Sequence, residues 1–108
     1  KAIFFEDLVL ENISLLEKFV SLVEDEIIKE RAVFVSVDID CFSSAYAPGC
    51  SQSWPHAMSP RDFFPVMNLI QKRWNPKGLG IYEVAPKLDE NFKTQRLAAQ
   101  IIHSFLEG

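Results

Sequence analysis

Residues 32–37, Ala-Val-Phe-Val-Ser-Val, run directly into Asp38-Ile39-Asp40, and no other stretch constrains the fold of this chain as strongly. A run so apolar and β-branched predicts a strand buried on both faces, as in a parallel sheet. Asp38 and Asp40 stand two apart, so on a strand both carboxylates leave from the same face. In open α/β sheets, ligands bind beyond the carboxyl ends of the strands. Two carboxylates placed there repel each other unless something positive lies between them, and a divalent metal ion is the simplest such partner. The alternative is that one caps the following loop and the other is a solvated strand-end group. Oxygen-only ligands favour manganese or magnesium over a structural zinc.

The flanking elements place that strand in an alternating pattern. Residues 2–5 suit a short strand. From Glu11 to Glu30 the apolar residues Ile13, Leu16, Val20, Val23 and Ile27 recur at helical spacing, which predicts one long amphipathic helix with Asn12 as its cap. Residues 40–59, with Pro48, Gly49, Pro55 and several serines, show no apolar period and read as a long loop. Ser59-Pro60-Arg61-Asp62 is a helix start, and that helix should run to about Trp74, before Asn75-Pro76. Pro65 lies inside its first two turns and is a source of bending. Residues 79–84 form a second apolar strand stopped by Pro86. Asn91 or Thr94 opens a last helix whose apolar face is Leu97, Ala98, Ile101, Ile102 and Phe105. The alternation predicts βαβ units, right-handed crossovers and a parallel sheet, hence an α/β fold.

Composition limits what such a chain does. Of its 108 residues, 11 are Lys or Arg and 15 are Asp or Glu, for a net charge of −4. That balance provides no footprint for nucleic acid or an anionic membrane. No apolar run approaches membrane-spanning length, and the start has no signal-peptide architecture. Cys41 and Cys50 are too few for a disulfide framework, so two free thiols in a reducing cytoplasm are expected. The chain starts at Lys1 rather than at a methionine and offers little to cover strands buried on both faces. It therefore reads as a segment of a larger α/β domain with its amino-terminal part absent, marginally stable alone.

Glu83, near the carboxyl end of the second strand, needs a partner because burying an unpaired carboxylate is costly. A salt bridge to Arg96 or Lys87 and a contact to a substrate are both open. If the strands are parallel neighbours, Glu83 shares a rim with Asp38 and Asp40, and three converging carboxylates point to a cation. His103 belongs on the surface of the last helix, and His56, in the loop, lies within reach of a site below it. The serines lack nucleophile-elbow spacing, and the sequence has neither a phosphate-binding nor a dinucleotide-binding glycine loop nor a zinc-spaced cysteine pair.

These residues resemble the ureohydrolase superfamily of arginases, agmatinases and formimidoylglutamases. The family pattern is Ser/aliphatic-Asp-aliphatic-Asp, three residues, a small residue, three more, then Pro-Gly. Here it reads Ser36-Val37-Asp38-Ile39-Asp40, Cys41-Phe42-Ser43, Ser44, Ala45-Tyr46-Ala47, Pro48-Gly49. A second pattern, Glu-Val-x-Pro followed by an Asp-containing turn and a helix starting with Thr, matches Glu83-Val84-Ala85-Pro86, Asp89 and Thr94. The likeness covers residues 31–106 and implies part of a three-layer, parallel-sheet, arginase-like fold. It further implies that Asp38 and Asp40 are ligands of a binuclear manganese centre (Mn2+) and that Glu83 faces the amidine or guanidine group of a small-molecule substrate. A hydroxide bridging the two metals would hydrolyse that group's C–N bond in a cytoplasmic homo-oligomer. No residue here carries a separate catalytic role. Ala47-Pro48-Gly49-Cys50-Ser51 resembles the formimidoylglutamase loop more than the arginase loop, which points to formimidoyl-glutamate, a substrate of histidine metabolism. Ser44 replaces a usual proline, His56-Ala57 replaces a common Gly pair, and Gln52 replaces an arginase threonine. The family's upstream histidine and Asp-x-His-x-Asp ligands do not occur in this chain, so the isolated chain should be inactive. Two other readings of the Asp pair are an aspartyl-phosphate phosphatase of the haloacid dehalogenase type and a non-catalytic arginase-fold subunit with an assembly or regulatory role.

Overall fold

The computed structural model describes residues 2–23 and 31–108. Its elements are α1 (Phe5–Glu11), α2 (Leu15–Val23), β1 (Phe34–Asp38), α3 (Pro60–Trp74), β2 (Gly78–Tyr82) and α4 (Lys93–Glu107). Two single turns of 3-10 helix, Ile39–Cys41 and Pro86–Leu88, follow the two strands. No described helix is long and apolar enough to cross a membrane.

β1 and β2 are parallel neighbours, with Val35 opposite Leu79 and Val37 opposite Ile81. Those four side chains face the core. There Val37, Ile39, Phe42, Ala47 and Cys50 meet Leu97, Ala98 and Ile101 of α4, flanked by Phe63 and Phe64 of α3. Full burial of Ile39, Phe42 and Ile101 contributes about 2 kcal/mol each. The other face of the strand pair is open. Phe34 is 60% exposed and Tyr82 49% exposed, and Ser36 and Asp38 are exposed beside them. The expected burial on both faces is therefore not found among the described residues: the described helices cover one face, and β1 alternates in exposure as a half-covered strand does.

Two local expectations are corrected at the amino-terminal end. Residues 2–4 form no strand, and α1 begins at Phe5. The long helix is interrupted, because Asn12 adopts the left-handed conformation (φ 53°) and caps the carboxyl end of α1 instead of opening a helix. Ser14 restarts the helix. Its Oγ accepts from the Glu17 N–H, and the Glu17 carboxylate accepts from the Ser14 N–H, a capping box that periodicity alone does not reveal. The expected continuation to Glu30 lies outside the described residues. α3 matches its expected limits, with a capping box between Ser59 and Asp62 and a left-handed Asn75 at its end. α2 leans on α3 through the edge-to-face contact of Phe19 with Trp74, and Gln71 of α3 donates to the Ser104 and Phe105 carbonyls of α4.

The segment between β1 and α3 is irregular but closely tied. Ser43 N–H donates to the Met58 carbonyl at 2.7 Å, and Ser43 Oγ donates to the Pro55 carbonyl at 2.7 Å. Ser44 N–H donates to the Trp54 carbonyl at 2.8 Å, a bond that a proline at this position is unable to make. Its apolar anchors, Phe42, Ala47 and Cys50, have no regular spacing, and hence no sequence period.

Candidate functional site

β1 ends at Asp38, and the chain turns at once into the 3-10 helix that carries Asp40. The two carboxylates are thus gathered by a turn rather than by strand alternation: Asp38 Oδ1 accepts from the Asp40 N–H at 3.4 Å. Partial burial, the side chain and charge of Asp38, and then the charge of Glu83 raise the Asp40 carboxyl above its ordinary 3.8. Glu83 follows directly on β2, so the parallel pairing that aligns Asp38 with Tyr82 brings it to the same rim. It sits in the left-handed region at φ 69°, uncommon for a residue with a side chain.

Among the described residues the ion pairs join Glu11 to Lys18, Glu90 to Lys93 and Glu107 to His103. The considered bridges from Glu83 to Arg96 or Lys87 are not among them. His103 lies on the surface of α4, as expected, and His56 is exposed in the loop. Both cysteines are free thiols. Cys41 keeps access to solvent, yet the atoms packed about its sulfur, then Asp38 and Asp40, push its thiol up to about 12. Burial first, then the charge of Asp40, likewise raises Cys50. Neither is poised as a nucleophile. A cavity of about 390 Å³ opens among Leu8, Val9, Ile13, Cys41 and Met58, and none of the three rim carboxylates lines it.

The donor chemistry of Asp38 and Asp40 fits a hard divalent cation: crowded oxygens, one of them held against its charge, without a lysine or arginine among the described ion pairs to neutralise them. Among the described residues no group of three or more His, Cys, Asp or Glu side chains is arranged to hold a metal ion.

A tie between distant segments underlies this rim. Gly49 N–H donates to the fully buried Thr94 Oγ1 at 2.7 Å, and Ala85 N–H donates to the Gly49 carbonyl at 2.7 Å. A Cβ on Gly49 would stand 2.8 Å from the Asp89 Cβ and 2.9 Å from Thr94 Oγ1, so only glycine fits. Asp89 is the acceptor that opens α4, taking the N–H groups of Thr94 and Gln95 at 3.0 Å each. This differs from the expected start at Asn91 or Thr94: Asn91 and Phe92 are left-handed lead-in residues.

The family model for the arginase family matches residues 6–107. The chain belongs to the arginase family. It is 30% identical over 88 residues to the formimidoylglutamase of Legionella pneumophila (strain Lens), covering 82% of this chain and 28% of that protein. With the formimidoylglutamase of Bacillus subtilis (strain 168) the identity is 32% over 80 residues, covering 74% and 25%. The crystal structure of the latter species' formimidoylglutamase superposes with a TM-score of 0.69 at 30% identity, over 84% of this chain and 28% of that one. An arginase from Bacillus subtilis superposes with a TM-score of 0.83 over all of this chain and 38% of that one, at 21% identity, which shows a shared fold. This arginase-family chain thus spans about a quarter of the length of the curated relatives it matches. The α/β architecture and the likeness to formimidoylglutamases are as the motifs implied.

Proposed function

We propose that this chain is the carboxyl-terminal portion of a manganese-dependent hydrolase of linear amidines or guanidines, acting on formimidoyl-glutamate or a close analogue. One observation carries the reading: Asp38 and Asp40 crowd together at the end of a parallel strand, on the rim that Glu83 shares, within a chain that belongs to the arginase family. Asp38 and Asp40 would hold manganese, and the remaining ligands would come from residues outside this chain. When bound, the metal would supply Lewis acidity and an activated water near neutral pH. Glu83 would offer its carboxylate to an amidinium, whose paired N–H groups donate charge-assisted hydrogen bonds and so orient the carbon to be attacked. Ile39, between the two aspartates in sequence, and Phe42, two residues after them, are fully buried and anchor the turn that carries the pair. The complete protein is proposed to be a cytoplasmic homo-oligomer with a small-molecule substrate, and the acidic balance of these 108 residues suits neither nucleic acid nor an anionic membrane.

The test is Asp40→Asn in the complete protein. Removing one ligand charge is expected to lower manganese-dependent turnover on the order of 100-fold or more. Unchanged turnover would remove Asp40 from the centre. The alternative is a non-catalytic arginase-fold subunit. That reading requires a parent protein without the missing histidine and Asp-x-His-x-Asp ligands.

A further inference from the structure

Glu83 holds a left-handed backbone that an L-residue keeps only when its surroundings impose it. The backbone beside it is tied to distant parts of the chain. Two residues on, Ala85 N–H is fixed on the Gly49 carbonyl, and Gly49 N–H is fixed on Thr94 Oγ1. Thr94 is 0% exposed, its N–H donates to Asp89, and its hydroxyl accepts from the Gly49 N–H. Gly49 also lies in the irregular segment that leads from the Asp pair to α3. One buried hydroxyl therefore joins the backbone leaving the Asp pair to the backbone leaving Glu83.

We infer that Thr94 is a positioning residue that, through Gly49 and Ala85, sets Glu83 in its left-handed conformation across from Asp38 and Asp40. The inference rests on the functional reading above for what Glu83 then does, and on geometry alone for the tie itself. Thr94 touches neither substrate nor metal. Without its hydroxyl, the Gly49 N–H loses its partner in a space too tight for replacement by a bulkier group, the Ala85 bond loosens, and Glu83 relaxes toward an ordinary backbone.

The experiment uses the complete protein carrying Thr94→Val, which keeps the side chain's volume and removes its hydroxyl, beside Thr94→Ser, which restores the hydroxyl. Two quantities are read: steady-state kinetics with formimidoyl-glutamate, and amide hydrogen exchange across residues 83–86. The valine variant is expected to raise KM on the order of tenfold, because misplaced substrate contacts weaken binding as well as rate. Its manganese content should be unchanged and the Ala85 N–H should exchange faster, with serine reversing both effects. A purely structural role would reduce the amount of active protein and leave KM alone. A valine variant with unchanged KM and unchanged Ala85 exchange overturns the inference. Should the valine protein not fold, Thr94→Ala removes the same hydroxyl without adding bulk and is read in the same way. If the unsubstituted protein hydrolyses no amidine or guanidine, the functional reading fails separately, and the exchange comparison of valine with serine still decides whether Thr94 governs the backbone at Glu83.

Discussion

Asp40 is placed where its charge is least welcome. Partial burial, then Asp38, then Glu83 raise its carboxyl, so at neutral pH the ionised form lowers the stability of the metal-free protein. A side chain kept at the cost of stability is explained by a ligand that turns the same charge into a benefit. In metal-free complete protein, Asp40→Asn is therefore expected to raise Tm by a few degrees at pH 7. That gain should vanish as the pH falls through the raised pKa, where Asp40 is itself protonated. Added manganese should raise the Tm of the unsubstituted protein, as any ligand selective for the folded state does, and should have little effect on the variant. Thermal melts with and without manganese chloride check both, and equal manganese shifts in the two proteins would take Asp40 out of the metal set. At this scale much was legible in the sequence. Two aspartates ending an apolar run name themselves, although the turn that gathers them replaces the strand alternation expected to do so. Thr94 gave no comparable signal as a tie, because its partner Gly49 is 45 residues away and nothing in local spacing marks a buried hydroxyl bond.

The helices differ in how openly they declare their ends. α3 is bounded by chemistry written into neighbouring residues, Ser59 with Asp62 at one end and Asn75-Pro76 at the other, and its observed limits follow. The break between α1 and α2 is hidden, because Ile13, Leu16, Val20 and Val23 keep helical spacing across it while Asn12 turns left-handed. The start of α4 is hidden differently: its cap, Asp89, lies four residues before the helix, across the left-handed pair Asn91 and Phe92. Burial opposes ionisation of Asp89, but the hydrogen bonds from the Thr94 and Gln95 backbones and side chains outweigh it and hold the carboxyl well below its ordinary 3.8. A carboxyl depressed on folding contributes stability that is present in full above its unfolded value and is lost as the pH falls through the folded one. Asp89→Asn is accordingly expected to lower Tm at pH 7, and the gap to the unsubstituted protein should narrow between about pH 4 and pH 2. Circular-dichroism melts across that range check it; a gap independent of pH would show that geometry, not charge, is what Asp89 supplies to α4.

At the scale of the whole molecule, the chain is a slab 18 Å deep along its shortest dimension, with the described helices on one face of the strand pair. The open face is not a solvated sheet surface of the usual polar kind. A Cβ at Gly78 would stand 2.7 Å from the Phe34 ring, and one at Gly80 would collide with Tyr82, so both aromatic rings lie flat across glycines of β2 and present their outer sides to solvent. Each strand also has an outer edge without a described partner, a ready template for further pairing. Parallel sheets are stable when both faces are covered, and here the matched relatives are about four times as long as the segment they share with this chain. Under the function proposed above, the open face would be an internal surface of the complete domain. The 108-residue chain by itself is expected to be marginally stable, to bind an apolar dye and to self-associate, and Phe34→Ser should reduce dye binding without unfolding it, since that side chain is already 60% exposed. Sedimentation, dye fluorescence and a thermal melt of the isolated chain read this directly. A monomer with a sharp melt at ordinary mesophile temperatures and no dye binding would mean that one covered face suffices, and the case for a missing second cover would fall.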